Sequence, residues 1–536
     1  MRSTLSKVLL SLPALAASSL AGSTSKCSVD GISIPNATVV SVGHYALGDV
    51  IPLPNTVASC GGPTFKVNIT SNLCRVVVNV STSDSSSTRI EAWLPDDWNN
   101  RLLATGTGGI GGCIDYRFVQ NGAHLGFASF GTNTGHDGEQ GFKFFLNQPE
   151  TINDFGHRGI HVEAQVAKQI VEQYYGKKAS KSYYQGCSTG GRQGLQNAQL
   201  YPEDFDGILA GAPGIDWLHI VASKGILARR IGWPDLESEA YVRPEQWKAI
   251  VAKQIEMFDP LDGVKDGIID NPAAHSFDPA TMACGTKLLN STLCLKPQQA
   301  ASVRAAYEPL ADSEGRIVYP GFNLGADTSV FSANQVNGTA QLTYTVLQDF
   351  WRGAVYNDSN WTPHNFTVKD MDFAVNLNPG GVNAAEGKLD KFYAKGGKII
   401  SYHGQADQTI TPKLIAEYYA KVQSNLNVTL EDMHSFYRQF FIPGMYHCSG
   451  GPGAFDIGQV YPMDEDRLNP RENVLLALTK WVEDDEEPAT LVGAKYDTAG
   501  KATAYRKYCP YPYESKWDGS GNTTEADSWD CIIPGA

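Results

Sequence analysis

Residues 183–194 read YYQGCSTGGRQG. An apolar run that enters Gly-x-Ser-x-Gly and leaves through a helix-forming segment restricts the backbone at Ser188 to a sharp, strained turn. Gly186 and Gly190 flank it because side chains there would collide with neighbouring backbone. Such a turn needs a strand before it and a helix after it. "FDGILAGAPG" (205–214) reads as the next strand, and strand, helix, strand in that order predicts an α/β fold built on a parallel sheet.

The neighbouring sequence extends this pattern. RVVVNV, RIEAWLP, RLLATGTGGIGG and GFASFGTNTG, between residues 75 and 135, are apolar runs closing on turns or glycine-rich loops and predict successive strands. Val162, Val166, Ile170 and Tyr174 recur every fourth residue and predict a helix over 159–175. From about 215 to 395 the pattern is irregular, and alternation resumes at "GGKIISYHGQAD". The chain therefore divides into a core of residues 22–214 and 396–536 and an insertion of residues 215–395. No internal repeat is present, and the one low-complexity run is STSDSSST (81–88).

A serine hydroxyl is a weak nucleophile until a base removes its proton and an acid orients that base. Behind a strand–turn–helix serine the expected order is serine, acid, histidine. Asp407 follows the strand in "KIISYHGQADQTITP", and His447 sits in the glycine-rich "IPGMYHCSGG". His403 is the rival base; it precedes Asp407 inside the strand and reads as a packed strand histidine. Cys187 precedes Ser188 and Cys448 follows His447. A disulfide holds its two Cα atoms about 5.5–6 Å apart, so a Cys187–Cys448 bond would bring Ser188 and His447 together. In the chain-entropy account so long a loop is worth about 5 kcal/mol, and pre-set geometry lowers the orientation cost of reaction. The oxyanion donors predicted are the Thr189 N–H and an N–H from Gly108 or Gly109 in "TGTGGIGG". A phosphate cradle is the competing use of that loop, but no Gly-Lys-Ser/Thr follows it.

The N-terminus reads as a signal peptide over residues 1–21: Arg2 and Lys7 are basic, Val8–Ala17 is apolar and Ser19-Leu20-Ala21 is a small-residue cleavage site. That run is too short to span a membrane and contains Pro13, and no later stretch is long and apolar enough. Secretion to the extracellular space follows. The ten cysteines, Cys27, Cys60, Cys74, Cys113, Cys187, Cys284, Cys294, Cys448, Cys509 and Cys531, suit full pairing in an oxidising compartment. Sequons at Asn36, Asn68, Asn79, Asn290, Asn337, Asn357, Asn360, Asn365, Asn427 and Asn522 predict a glycoprotein. The net charge of -14 disfavours nucleic acid and anionic membranes as partners.

"DPLDGVKDGIIDNP" gathers Asp259, Asp262 and Asp266 in a glycine-punctuated loop. Calcium takes six to eight oxygens, and the carbonyls of Val264 and Ile268 would alternate with the three carboxylates. A solvated acidic turn is the plainer alternative. The predicted role is structural, because no nucleophile lies nearby in sequence.

With GCSTGG, HGQAD, YHCSGG, the insertion and the acidic loop, the chain resembles the fungal tannase and feruloyl esterase family over nearly its whole mature length. The resemblance implies an α/β-hydrolase core with a large inserted lid, and Ser188, Asp407 and His447 as its triad beside a Cys187–Cys448 bond. It also implies Ca2+ on Asp259, Asp262, Val264, Asp266 and Ile268, no organic cofactor, and disulfides Cys27–Cys74, Cys60–Cys113, Cys284–Cys294 and Cys509–Cys531. The implied substrates are phenolic-acid esters: hydroxycinnamoyl esters of plant cell-wall polysaccharide, or galloyl esters if the chain is a tannase. Trp217, Trp233, Phe258, Phe350 and Trp351 in the insertion serve either as packing or as a pocket for the phenolic ring. Fungal tannases are often cut at a dibasic site in a lid loop, whereas Arg229-Arg230 lies in a helical pattern, which favours the feruloyl esterase. A secreted glycan-binding protein on a hydrolase scaffold is the reading from a different class; it would usually lack a triad member, and all three are present. Monomer and dimer are both open.

Overall fold

A computed structural model describes residues 27–28, 31–285, 292–327, 333–336, 339–342, 344–462 and 464–534. The expected signal peptide and the sequons at Asn290 and Asn337 lie outside the described residues.

Nine strands form the central sheet: β1 (Ala37–Tyr45), β2 (Leu73–Ser81), β3 (Ser87–Pro95), β4 (Arg101–Thr105), β5 (Ala128–Thr132), β6 (Lys181–Cys187), β7 (Gly207–Gly211), β8 (Lys398–Gly404) and β9 (Tyr437–Ile442). Their spatial order is β1-β2-β3-β5-β4-β6-β7-β8-β9. The first three strands and the β3–β5 pair are antiparallel; from β5 through β9 every pair is parallel. The parallel half is covered on both faces, and its strands are accordingly apolar throughout: Tyr183, Tyr184, Ile208, Leu209, Ile399 and Ile400 are all fully buried.

The principal helices are α1 (Tyr116–His124), α2 (Gly159–Tyr175), α3 (Thr189–Leu200), α4 (Trp217–Arg230), α5 (Pro244–Phe258), α6 (Pro297–Tyr307), α7 (Val368–Leu377), α8 (Lys413–Leu426) and α9 (Val474–Asp484). α2, α3 and α8 bury Ile170, Leu195 and Tyr419 on one face of the sheet. α9 covers the other face with Leu475, Leu478 and Trp481. The predicted helix over 159–175 is present, but its stripe is rotated. Of the four predicted positions Val166 and Ile170 join the core, together with Ile160, Ala164, Ala167 and Val171, while Val162 and Tyr174 only flank it. The reason is the fully buried Glu163, which shares the inner face and reaches the end of β4.

β7 ends at Gly211 and β8 begins at Lys398, and among the described residues the irregular segment anticipated between them contributes no strand to the central sheet. It builds its own core, where Trp247, Phe350, Trp351 and Met371 pack with Ile110, Phe155 and Ile410 from the loops at the sheet's C-terminal edge. Of its aromatics, Trp217, Trp233, Phe350 and Trp351 are buried, and Phe258 stacks on His275. Arg229 and Arg230 are the last turn of α4.

Candidate functional site

β6 delivers Ser188 to the sheet edge, and α3 departs at the next residue. Ser188 holds φ 64° and ψ -122°, a conformation that non-glycine residues occupy only where surrounding structure enforces it. The enforcement is visible. Ser188 N–H donates to Gly211 O at 2.9 Å, its carbonyl accepts from Gly214 N, and the Tyr184 hydroxyl donates to Gly190 O at 2.7 Å. A Cβ on Gly186 would lie 2.7 Å from the Gly190 carbonyl carbon, and one on Gly190 would lie 3.0 Å from Thr107 O. Gly186 is thus sterically required, and Gly190 is tightly confined.

Cys187 and Cys448, the neighbours of Ser188 and His447 in sequence, form a disulfide with Cα atoms 6.0 Å apart. The other four bridges are Cys27–Cys74, Cys60–Cys113, Cys284–Cys294 and Cys509–Cys531, and no cysteine among the described residues is free. His447 Nδ1 lies 2.8 Å from Asp407 Oδ2, which leaves Nε2 on the side of the ring away from that carboxylate. Its backbone N–H donates to Gln408 at 3.2 Å. Asp407 is fully buried, and its Oδ1 accepts from Thr409 N at 2.7 Å and Ile410 N at 2.9 Å. Burial alone would raise its carboxyl; the charge of His447 and hydrogen bonds from His403 and His447 outweigh it and hold the group well below the usual carboxylate range.

His403 is a buried strand residue, as expected, and Asp407 is one of its partners. Its Nε2 lies 3.1 Å from Asp407 Oδ2 and 3.0 Å from Ile410 O. That contact was not foreseen, because residues four apart across a strand end meet only if the loop curls back.

Thr189 opens α3, so its N–H is among the amides a helix leaves without an internal acceptor. Its hydroxyl donates to Gly109 O at 2.5 Å and accepts from Trp217 Nε1 at 3.3 Å. Gln193, one turn on, accepts from Thr107 N at 3.0 Å. The glycine loop carrying Gly108 and Gly109 is therefore fastened to the helix beginning at the nucleophile. One turn after Ser188, the buried Arg192 guanidinium donates to the carbonyls of Phe155, Gly156 and Val382. Sequence reasoning missed Trp217, Gln193 and Arg192 as supports, since helical spacing alone does not tell a brace from core.

The strand-turn-helix, the acid and the crosslinked histidine loop all lie within a region that a sequence profile described as "Tannase and feruloyl esterase" matches, over residues 74–532. The chain belongs to the tannase and feruloyl esterase family. It is thus a carboxylic ester hydrolase. A probable feruloyl esterase B-2 of Aspergillus oryzae is 37% identical over 530 residues, covering 97% of this chain and 99% of that one. A probable feruloyl esterase B of Aspergillus clavatus is 36% identical over 94% of each chain. Among solved structures, feruloyl esterase B from Aspergillus oryzae superposes with a TM-score of 0.88 at 34% identity, over 95% of this chain and 100% of that one. The tannin acyl hydrolase of Aspergillus niger shares the fold, with a TM-score of 0.73 at 20% identity over 95% and 94%. Within this tannase and feruloyl esterase family the fold is an α/β-hydrolase core with an inserted domain.

The acidic loop follows α5. Asp259 Oδ1 accepts from the backbone of Asp266, Gly267 and Ile268, and Asp262 Oδ1 from Val264 N at 2.8 Å. Asp262 Oδ2 is buried and no donor among the described residues reaches it. Burial and the neighbouring Asp270 carboxylate push both Asp262 and Asp266 upward. An orphaned carboxylate oxygen among crowded carboxylates suits a hard cation. Among the described residues no three acidic or histidine side chains form a metal cage by themselves; a cation held here would need backbone oxygens as well, such as those of Val264 and Ile268. The loop also touches the catalytic region: a Cβ on Gly444, in the histidine loop, would lie 2.9 Å from Ile268 Cγ1.

Proposed function

We propose that this chain is a secreted feruloyl esterase that hydrolyses hydroxycinnamoyl esters of plant cell-wall polysaccharide through a Ser188–His447–Asp407 acyl-enzyme mechanism. The observation that carries the reading is the disulfide linking the residues beside Ser188 and His447, with Asp407 on the far nitrogen of that histidine. His447 Nε2 takes the Ser188 proton as the hydroxyl attacks the acyl carbonyl. The Thr189 N–H, with Gly108 or Gly109, receives the oxyanion. His447 returns the proton to the departing sugar oxygen, and water then releases the acid by the same steps in reverse. Residues 215–395 act as the lid that shapes the acyl pocket.

The relatives at 34–37% identity bear the name feruloyl esterase, and Arg229-Arg230 is a helix end, not a loop. Both favour hydroxycinnamate over gallate. Calcium on Asp259, Asp262, Asp266 and the two carbonyls would neutralise the loop and hold Ile268 against the histidine loop. Secretion is supported by five disulfides and by the exposure of all eight sequons among the described residues. No described helix is long and apolar enough to cross a membrane. Rates on methyl ferulate, caffeate, p-coumarate, sinapate and gallate for wild type and Ser188→Ala test the proposal. Ferulate or another cinnamate should lead and S188A should lose the activity; retained turnover in S188A overturns the mechanism, and a lead by gallate overturns the substrate.

A further inference from the structure

Asp407 has two histidines, and only one of them flanks the disulfide. His403 is fully buried in β8, with its Nε2 shared between two acceptors, Asp407 Oδ2 and Ile410 O. Neither acceptor can donate while Asp407 is ionised, so the imidazole carries its hydrogen on Nε2. Nδ1 is buried and has no partner among the described residues, so a second ring proton would find no acceptor. The ring's Nε2–H is thereby given to the acid loop.

Its two partners close the acid loop on itself. Ile410 donates its N–H to Asp407 Oδ1 and gives its carbonyl to His403. Oδ2 then receives two histidine N–H groups, from His403 at 3.1 Å and His447 at 2.8 Å. A carboxylate oxygen that serves two donors gives less of its charge to each.

We propose that His403 is a positioning residue for the esterase reaction: its Nε2–H fixes the Asp407 carboxylate and draws off part of its charge, setting how strongly Asp407 supports the His447 imidazolium at acyl transfer. The inference rests on the triad reading above. The other titratable groups whose charges bear on Asp407 are Lys224, Tyr319 and Tyr344, all contributed by residues 215–395.

The test compares His403→Leu, which removes the donor, with His403→Gln, whose amide nitrogen can occupy the position of Nε2, on methyl ferulate across the pH range. H403L should lose kcat on the order of tenfold with KM nearly unchanged. The acid limb of its kcat/KM profile should move to higher pH by roughly half a unit, because Asp407 then gives its full charge to His447. H403Q should recover most of both. If H403L does not fold, His403→Asn replaces it, polar but too short to reach Oδ2. An unmoved acid limb in the donor-less variant, or equal losses in the variants with and without the donor, overturns the proposal and leaves the ring as packing. Activity surviving in S188A would instead overturn the triad reading, so the two failures are distinguishable.

Discussion

The fully buried Asp407 and the half-buried Asp262 and Asp266 of the acidic loop are treated in opposite ways. Asp407 has four donors within 3.1 Å and is held well below its ordinary range. In the acidic loop, Asp262 keeps one oxygen without a donor among the described residues, and both Asp262 and Asp266 are pushed upward by burial and by Asp270. A buried charge is tolerable only if it is paired or fully hydrogen-bonded. The first site meets that condition with the chain's own atoms; in the second, Arg506 pairs with Asp270 and eases Asp266, and the proposed cation would supply the rest. The contrast sets a carboxylate satisfied within the chain against a loop that the proposed calcium would complete.

The largest effect expected is at the carboxylate satisfied within the chain. Asp407→Asn should lower kcat by about 10^3 to 10^4, because the amide favours the wrong histidine tautomer, with melting temperature little changed. A variant retaining kcat would show that the four-donor carboxylate is structural. Next is the Cys187→Ala/Cys448→Ala pair, which should lose up to about 5 kcal/mol of stability together with activity, measured by denaturant unfolding and ester turnover. Calcium comes third. Chelation should cost about 3 kcal/mol if the ion is present at a hundredfold excess over its dissociation constant, and re-addition should restore it. Asp262→Asn sharpens the comparison by a change of sign. It should destabilise in calcium but be neutral or stabilising in chelator, where it removes like-charge repulsion; a melt that ignores both chelator and substitution would break the contrast.

The smallest effect concerns Lys224, buried in α4 with its Nζ 3.0 Å from the Tyr319 hydroxyl and over the Tyr319 and Phe322 rings. Burial pushes its ammonium down to about 7, whereas the unfolded chain keeps it protonated up to ~10.4. The cost of the buried charge is therefore present in full below about pH 7 and fades as pH rises toward ~10. Lys224→Met should gain about 2 kcal/mol at pH 6 and little at pH 10, read from paired melts. A gain that does not depend on pH would place the effect in packing.

The geometry of the candidate site was legible because its constraints are local and covalent. Glycines pressed on backbone, cysteines adjoining serine and histidine, and an acid after a strand all leave marks in one dimension. The parallel half of the sheet was legible for a related reason, its strands being apolar on both faces. β1 left no comparable mark: ATVVSVGHY is an edge strand with most side chains partly or fully exposed. The C-terminal hairpins, Leu491–Tyr496 with Ala502–Tyr508 and Glu514–Trp517 with Trp529–Ile532, also went unread. Their stability depends on long-range contacts, such as the Arg506–Asp270 ion pair that joins one of them to the acidic loop. His403 was placed in its strand correctly, but its bond to Asp407 depends on how the loop curls.

The most direct measurement is rapid quench of the enzyme with an activated feruloyl ester, followed by non-reducing digestion and mass spectrometry. The account predicts a feruloyl mass on Ser188 within a fragment in which Cys187 is still bonded to Cys448. A feruloyl group on any other residue, or those two cysteines found in different bridges, would contradict it.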